Sequence, residues 1–141
     1  MPFARISLLK GKSPDYLGAL SGGLHQALVE AFDVPQDDRF QVIHQLALGE
    51  LIFDRHYLGG PRSDDFVLIQ ITAGRLRSTA VKQAFYRRLV TLLAEAPGLR
   101  PADVMVIIST THADEWSFGG GEAQMVAASD ARAEVGHAQR S

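Results

Sequence analysis

A proline at position 2 is the first residue of this chain whose chemistry stands out. Because the proline ring is small, we expect methionine aminopeptidase to remove Met1 and leave Pro2 with a free secondary amine. An unperturbed α-amino group has a pKa of about 8, so a modest shift makes it an acid or a base at neutral pH. A secondary amine also forms an iminium with a carbonyl compound. Taken alone, however, a Met-Pro start is more often incidental than functional.

Two arginines, Arg75 and Arg77, lie two residues apart after a buried apolar run. At a strand end or in an extended loop, alternate residues point the same way. Paired guanidinium groups suit a carboxylate because each can donate two parallel hydrogen bonds. The spacing therefore indicates an anion site. The alternative is a pair of solvated arginines at the start of a helix, although cations are slightly unfavourable there.

Asp38 stands where a second strand is predicted to start. If that strand lies parallel to the first, the starts of the two strands are neighbours, and Asp38 approaches Pro2. A carboxylate in that place stabilises a protonated amine or orients a water molecule. The alternative is a turn residue or an ion pair with Arg39.

Trp116 and Phe118 alternate beside a run of three glycines. They either wall an apolar pocket or form a hairpin that packs on the core. The glycine run lacks the Lys-Ser/Thr pair of a phosphate-binding loop, and the five histidines show no metal-ligand spacing. We therefore expect neither a nucleotide site nor a zinc site here. The sequence contains no cysteine, which excludes thiolate chemistry and disulfides.

The elements that must position these residues follow from the apolar periodicity. Residues 2–9 alternate as a strand. A helix follows, with Ser13 as its N-cap, Pro14 at its first position and an apolar stripe that ends near Phe32. A second strand is predicted to open at Asp37-Asp38-Arg39 and to run to about Leu48. Together these residues form one βαβ unit.

The second half repeats this order. A strand is predicted over Phe66–Ile71, a turn over residues 72–74, a helix capped by Ser78 that ends before Pro97, and a strand over Val104–Ile108. Right-handed crossovers place both helices on one face of a four-stranded sheet. The predicted fold class is therefore α+β, with two βαβ units, a C-terminal hairpin around residues 116–121, and an oligomer that covers the exposed apolar surface.

The composition sets the outer limits. With 141 residues, 46% of them hydrophobic and 21% charged, the chain is long enough for one domain with a real core. We assign that domain to residues 1–126 and expect a flexible tail over residues 127–141. The formal net charge of -2 gives no general attraction to nucleic acid or to an anionic membrane. No targeting segment or long apolar run is evident, so the expected location is cytoplasmic.

Together these residues resemble the tautomerase superfamily, whose members use an amino-terminal proline and are built from two βαβ units. The likeness is greatest to malonate semialdehyde decarboxylase, in the branch shared with cis-3-chloroacrylic acid dehalogenase. It extends from Pro2 to about Met125. The matching segments are Ala31-Phe32-Asp33-Val34-Pro35, Asp37-Asp38-Arg39-Phe40-Gln41-Val42, Gln70-Ile71-Thr72, Arg75-x-Arg77-Ser78, Lys82-Gln83-x-Phe85-Tyr86, and Trp116-Ser117-Phe118-Gly119-x-Gly121-Glu122-Ala123-Gln124.

The resemblance implies a role for each candidate residue. Pro2 corresponds to the catalytic proline, which acts as a cation in the decarboxylase, and Asp38 to the aspartate associated with it. Arg75 and Arg77 correspond to the arginines that bind and polarise the substrate. The remaining candidates line the apolar wall of the substrate site: Trp116, Phe118 and Met125.

Two departures from the family pattern bear on the substrate. The segment from Thr72 to Arg75 is one residue longer than the compact form of this loop, which can re-aim Arg75. Met125 stands where an aromatic residue is common.

The resemblance implies a homotrimer without cofactor that acts on a small 3-oxo or unsaturated carboxylic acid. The first hypothesis is decarboxylation of malonate semialdehyde to acetaldehyde and CO₂, with promiscuous hydratase activity. The alternatives are a keto–enol tautomerase or hydratase and, ranked lower, a dehalogenase of a small unsaturated acid. The least favoured is a non-enzymatic trimeric scaffold with a vestigial proline site.

Overall fold

The computed structural model describes residues 1–126, so the tail predicted over residues 127–141 lies outside the described residues. The main elements alternate strand and helix as the periodicity predicts. They are β1 (Pro2–Leu9), α1 (Pro14–Ala31), β2 (Gln41–Leu46), β3 (Val67–Ala73), α2 (Thr79–Glu95) and β4 (Val104–Thr110). Two short 3-10 turns, Pro101–Asp103 and Ala113–Glu115, flank β4.

The four strands form one mixed sheet in the order β2-β1-β3-β4. β1 is parallel to β2, β3 is parallel to β4, and the two βαβ units meet through antiparallel pairing of β1 with β3. The central pairing sets Pro2 opposite Ala73. The beginning of β1 therefore lies beside the end of β3, where the chain turns toward the two arginines. The predicted α+β fold with two βαβ units is confirmed.

Both helices cover the same face of the sheet. On β1 and β3 every second side chain is buried against them, as the alternating pattern predicts. The rings of Phe32 from the end of α1 and Phe85 from α2 pack together in this core, with their centroids 5.1 Å apart. Burial of this apolar layer orders the sheet edge that carries the candidate site.

Serine caps fix the beginning of each helix. The Ser13 hydroxyl accepts a hydrogen bond from the backbone N–H of Tyr16, and the Ser78 hydroxyl accepts one from Val81, at 3.1 and 3.2 Å. Each cap satisfies one of the N–H groups that have no partner within the helix. Both predicted N-caps are confirmed.

Some boundaries differ from the predictions. β2 begins only at Gln41 and ends at Leu46, so Asp38 lies in the turn before the strand. The prediction of a turn over Thr72 and Ala73 was wrong, because these two residues continue β3. They pair with Phe3 and Pro2 of β1 on one side and with Ser109 and Thr110 of β4 on the other. β4 likewise continues to Thr110.

The predicted C-terminal hairpin is absent from residues 111–126. The chain there forms the 3-10 turn, then an open loop over residues 116–123, and is helical at residues 124–126. Gly119, Gly120 and Gly121 all have positive φ angles, which favour a loop over a strand. The Gln124 side chain closes the loop, because it accepts from the Phe118 N–H at 2.9 Å and donates to the Gly119 carbonyl at 2.8 Å.

The long connection before β3 is attached to the sheet through a buried carboxylate. Asp103 has no exposed surface, and its two oxygens accept from the backbone N–H and the hydroxyl of Ser63, at 2.6 and 2.7 Å. Charged acceptors that are fully hydrogen-bonded stabilise a fold more than neutral ones. No helix within residues 1–126 is both long and apolar enough to cross a membrane.

Candidate active site

Asp38 lies next to the amino terminus, as the parallel pairing of β1 and β2 predicts. Its Oδ2 atom is 3.3 Å from the amine nitrogen of Met1, and its side chain is only 8% exposed. Among the described residues, this oxygen accepts no well-formed hydrogen bond. A buried carboxylate oxygen without a donor is costly. The Oδ2 atom of Asp38 can therefore accept a hydrogen bond from a donor at the amino terminus.

The turn that carries Asp38 is held from the core. His25 on α1 is buried, and its Nε2 atom donates to the carbonyl oxygen of Gln36 at 2.8 Å. The backbone N–H of Asp38 in turn donates to Pro35 at 3.0 Å. These bonds fix the carboxylate relative to the helix, and no local sequence signal pointed to His25.

The groups around the Met1 amine shift its pKa in both directions. Burial lowers the pKa of the Met1 amine below its ordinary value of 8.0. The charge and hydrogen-bonding capacity of Asp38 act in the opposite direction, while the positive charges of Arg77 and Arg75 lower the pKa further. The charges of one carboxylate and two guanidinium groups thus act on the terminal amine.

Arg75 is half-exposed and bound to an acidic residue. Its Nη2 atom donates to Oδ2 of Asp33 at 2.6 Å, and the side chains are 52% and 90% exposed. Asp33 follows α1 with a left-handed φ of 56°, a conformation that aspartate tolerates better than most residues. The same Nη2 atom also donates to the Asp33 carbonyl at 3.4 Å, so within residues 1–126 the hydrogen bonds of the Arg75 side chain all use Nη2.

Arg77 has a different environment. It is buried, with 6% exposure. Its Nε and Nη2 atoms both donate to the Phe32 carbonyl, at 3.1 and 2.9 Å, and Nη1 donates to the Arg75 carbonyl at 3.1 Å. The guanidinium also lies over the Phe32 ring, 4.2 Å from its centre. Burial lowers the pKa of Arg77, and Arg75 lowers it further.

Among residues 1–126, the two arginines therefore do not share one partner. Arg75 binds Asp33 at the surface, whereas Arg77 joins the end of α1 to the loop after β3. A guanidinium carries five N–H donors, so within residues 1–126 one hydrogen on each Nη atom of Arg77 makes no hydrogen bond. The prediction that both arginines converge on a single carboxylate stays a prediction.

Trp116 and Phe118 form one face of an aromatic cluster. Their rings stack with centroids 5.6 Å apart and an angle of 16°. Phe118 also contacts Phe40, at 5.7 Å. Phe40 follows Asp38 by two residues, and its carbonyl accepts from the N–H of Ala4 on β1. Sequence reasoning missed Phe40, although its place next to Asp38 and its aromatic type were visible signals.

Met1 and Met125 both lie against Gly74. The carbonyl oxygen of Met1 accepts a hydrogen bond from the Gly74 N–H at 2.8 Å. A Cβ atom on Gly74 would lie 3.0 Å from both Met1 Cβ and Met125 Cε, so the absent side chain is what admits Met1. Gly74 also lies in the segment that is one residue longer than the compact form of this loop. The sequence alone did not predict its contact with Met1.

A metal ion has no ready ligand set within residues 1–126, because no group of three or more His, Asp or Glu side chains converges there. The chemistry offered by the site is thus that of an amine, a carboxylate, guanidinium groups and an apolar wall.

Comparisons with known proteins agree with this arrangement. A family model described as "Tautomerase enzyme" matches residues 38–119, and a second model with the same description matches residues 2–60. The probable tautomerases YusQ and YrdN of Bacillus subtilis (strain 168) are 38% and 36% identical over 126 residues. Each match covers 89% of this chain, and 99% and 97% of the two relatives, respectively.

Solved structures are similar over the same range. Malonate semialdehyde decarboxylase matches with a TM-score of 0.85 and 32% identity, over 90% of this chain and 98% of that one. The FG41 malonate semialdehyde decarboxylase inhibited by 3-bromopropiolate matches with 0.83 and 31%, over 90% and 96%. A symmetric trimer of fused 4-OT shares the fold, with a TM-score of 0.71 at 17% identity over 89% of this chain and 98% of that one.

Proposed function

This chain belongs to the tautomerase superfamily of enzymes, and we propose that it uses Pro2 to decarboxylate a small 3-oxo acid, in the manner of malonate semialdehyde decarboxylase. The observation that best supports this proposal is the position of the amino terminus. Its nitrogen lies 3.3 Å from Oδ2 of the buried Asp38, an oxygen that accepts no hydrogen bond within residues 1–126, and the charges of Arg75 and Arg77 act on the same amine. The decarboxylases are also the similar structures that share 31–32% identity with this chain.

The proposal requires removal of Met1. In the described chain the Pro2 nitrogen is an amide, which can neither hold a proton nor form an iminium. Loss of Met1 converts it to a secondary amine next to the space that Met1 fills. The same step frees the N–H of Gly74, which now donates to the Met1 carbonyl. A substrate that enters this space would meet the amine and the Gly74 donor together.

The proposed reaction then runs as follows. The 3-oxo acid binds with its carbonyl oxygen toward protonated Pro2 and the arginines, and its carboxylate against Trp116 and Phe118. The bond between the carboxylate carbon and its neighbour breaks, CO₂ leaves, and the electron pair passes into an enolate. Hydrogen bonds from Pro2 and Arg75 stabilise the charge that develops on the oxygen. The enolate carbon then takes up a proton from water, which for malonate semialdehyde gives acetaldehyde.

Asp38 keeps Pro2 cationic in this scheme. In the described chain Asp38 raises the pKa of the terminal amine and partly counters the lowering by burial and by the two arginines, and we expect the same direction for Pro2. Arg77 contributes mainly by position, because three of its donors already serve backbone carbonyls. Its positive charge still acts on the amine.

A second candidate function is a keto–enol tautomerase or hydratase that uses Pro2 as a proton shuttle. It is favoured by the relatives named probable tautomerases, which are more identical to this chain than the decarboxylases are. The two functions need the same amine but different protonation states. A tautomerase uses neutral Pro2 as a base, whereas the decarboxylase uses the cation.

Parallel assays with three substrates test the proposal. Malonate semialdehyde reports decarboxylation, 2-oxo-3-pentynoate reports hydration or inactivation, and phenylenolpyruvate reports tautomerisation. We expect turnover of malonate semialdehyde with release of CO₂, and loss of that turnover in Pro2→Ala. Turnover of phenylenolpyruvate alone would instead assign a tautomerase. Inactivity toward all three by a protein whose Met1 has been removed would favour a non-enzymatic scaffold.

We also propose that the protein works as a homotrimer. The sheet face opposite the helices carries exposed apolar side chains, among them Val42, Met105 and Ile107, and burial of such a face drives association. A related fold, fused 4-OT, is described as a trimer. Light scattering should give three times the chain mass of 15.3 kDa. Ile107→Glu, which places a charge on this face, should lower that mass.

A further inference from the structure

Thr111 connects the aromatic wall to the strand beside Pro2. It follows β4, and its backbone N–H and its hydroxyl both bond to the carbonyl oxygen of Ala73, at 2.9 and 3.0 Å. Its Oγ1 atom also accepts the indole N–H of Trp116 at 2.6 Å. Ala73 is the residue that pairs with Pro2 across the sheet. Two successive hydrogen bonds thus connect the indole N–H of Trp116 to the backbone of Ala73, which pairs with Pro2.

The direction of these bonds is fixed by chemistry. A hydroxyl has one hydrogen to donate and two lone pairs to accept with. Because a carbonyl oxygen can only accept, the Thr111 hydrogen points at Ala73, and a lone pair faces the indole. The chain therefore runs from the Trp116 N–H to the Thr111 hydroxyl to the Ala73 carbonyl. Such a chain is strengthened by mutual polarisation.

The consequence for Trp116 is that its single polar atom is already engaged. An indole has one N–H donor and no acceptor. With that donor bound by Thr111 and one ring face stacked on Phe118, the ring offers only apolar surface to a ligand. The hydroxyl is not needed to hold the loop, because the backbone N–H of Thr111 makes its own bond to Ala73.

We propose that Thr111 is a positioning residue that withholds the indole N–H of Trp116 from the substrate carboxylate. The inference rests on the proposed decarboxylase function. A donor on the carboxylate stabilises the bound acid more than the transition state, in which the negative charge moves toward the carbonyl oxygen. Such a bond would tighten substrate binding and slow the loss of CO₂. Thr111 keeps this wall free of a donor.

The kinetic test compares Thr111→Val, which has the same shape without the hydroxyl, with Thr111→Ser, which keeps it. With malonate semialdehyde, we expect Thr111→Val to lower both kcat and KM, kcat by about tenfold, the pattern of an enzyme that binds its ground state too well. Thr111→Ser should stay within about twofold of the wild type. Trp116→Phe lacks the N–H, so adding Thr111→Val to it should change nothing further.

A spectroscopic test follows the same hydrogen bond without turnover. The chain has one tryptophan, so its indole N–H gives a single ¹H–¹⁵N signal, and non-reacting malonate serves as the carboxylate probe. In the wild type this signal should be insensitive to malonate. In Thr111→Val it should lie upfield and move downfield as malonate binds.

Three results would overturn the inference. One is unchanged kcat and KM in Thr111→Val. Another is a raised KM, which would indicate ordinary structural damage. The third is equal behaviour of the Val and Ser variants. A wild-type protein that turns over none of the acids rejects the proposed function instead. The response of the indole signal to malonate then still decides whether Thr111 keeps this donor from a carboxylate.

Discussion

The Oδ2 atom of Asp38 lies 3.3 Å from the amine nitrogen of Met1. Asp38 lies in the turn before β2 and Met1 precedes β1, and the parallel pairing of the two strands brings these residues together. The carboxylate is buried and has no other close donor within the described residues. This relationship makes the amino terminus the electrostatic centre of the site.

The first prediction concerns Met1 itself. Mass spectrometry of the purified protein should show that the chain begins at Pro2. A lysine inserted between Met1 and Pro2 should block processing and abolish turnover, because the proline nitrogen stays an amide. Pro2→Ala should still be processed but lose about 10²-fold or more in kcat, because a primary amine replaces the ring nitrogen. Full activity of the inserted variant would rule out Pro2 as the catalytic group.

The second prediction separates Arg75 from a comparable surface arginine. Arg75→Ala should reduce kcat/KM by about 10²–10³-fold, because a donor to the developing enolate is lost. Its thermal unfolding should barely change, since an exposed ion pair contributes only about 0–1 kcal/mol. Arg88→Ala is the matched control, because Arg88 also bonds an acidic partner, Glu30, at 2.6 Å. Equal activity of the two variants would exclude Arg75 from the site.

The third prediction concerns the buried Arg77. Arg77→Met keeps an unbranched apolar stem but removes the guanidinium that donates to the Phe32 and Arg75 carbonyls. We expect the free energy of unfolding to fall by about 2 kcal/mol, measured by urea denaturation. Arg77→Lys should recover part of the loss, because it returns the charge but not the planar set of donors. If Arg77→Met is as stable as the wild type, the three hydrogen bonds have no net stabilising effect.

The fourth prediction is a shift of the pH profile. Asp38 raises the pKa of the terminal amine, while burial and the two arginines lower it. Asp38→Asn should therefore lower the pKa of the Met1 amine in the unprocessed chain, measured by NMR titration of the labelled amine. We expect the same direction for Pro2 in the processed enzyme. Decarboxylation needs the cation, so its rate should fall as pH rises, and it should fall at lower pH in Asp38→Asn.

The control for this titration is Asp33→Asn, which removes the exposed partner of Arg75. Asp33 is not among the groups that shift the pKa of the amine, so this variant should leave the profile in place. A pH profile that is the same in Asp38→Asn and the wild type would mean that Asp38 does not control the amine.

Much of the fold was visible in the sequence because it depends on neighbours along the chain. The alternation of Ala4, Ile6 and Leu8 predicts β1, and Ser13 with Pro14 predicts the start of α1, since a cap and a first turn are made by residues three positions apart. The proximity of Asp38 to the amino terminus also followed, because parallel strands place their starts together.

The remaining features depended on residues far apart in sequence. The extension of β3 through Ala73 depends on pairing with Pro2, 71 positions away by residue number. The burial of Arg77 depends on the Phe32 carbonyl at the end of α1, and the orientation of Trp116 on Thr111 and, through it, on Ala73. The sequence alone specified the residue types and the elements that carry them. Only the tertiary structure decided which donor meets which acceptor, because that depends on where the ends of separate elements come together in the folded chain.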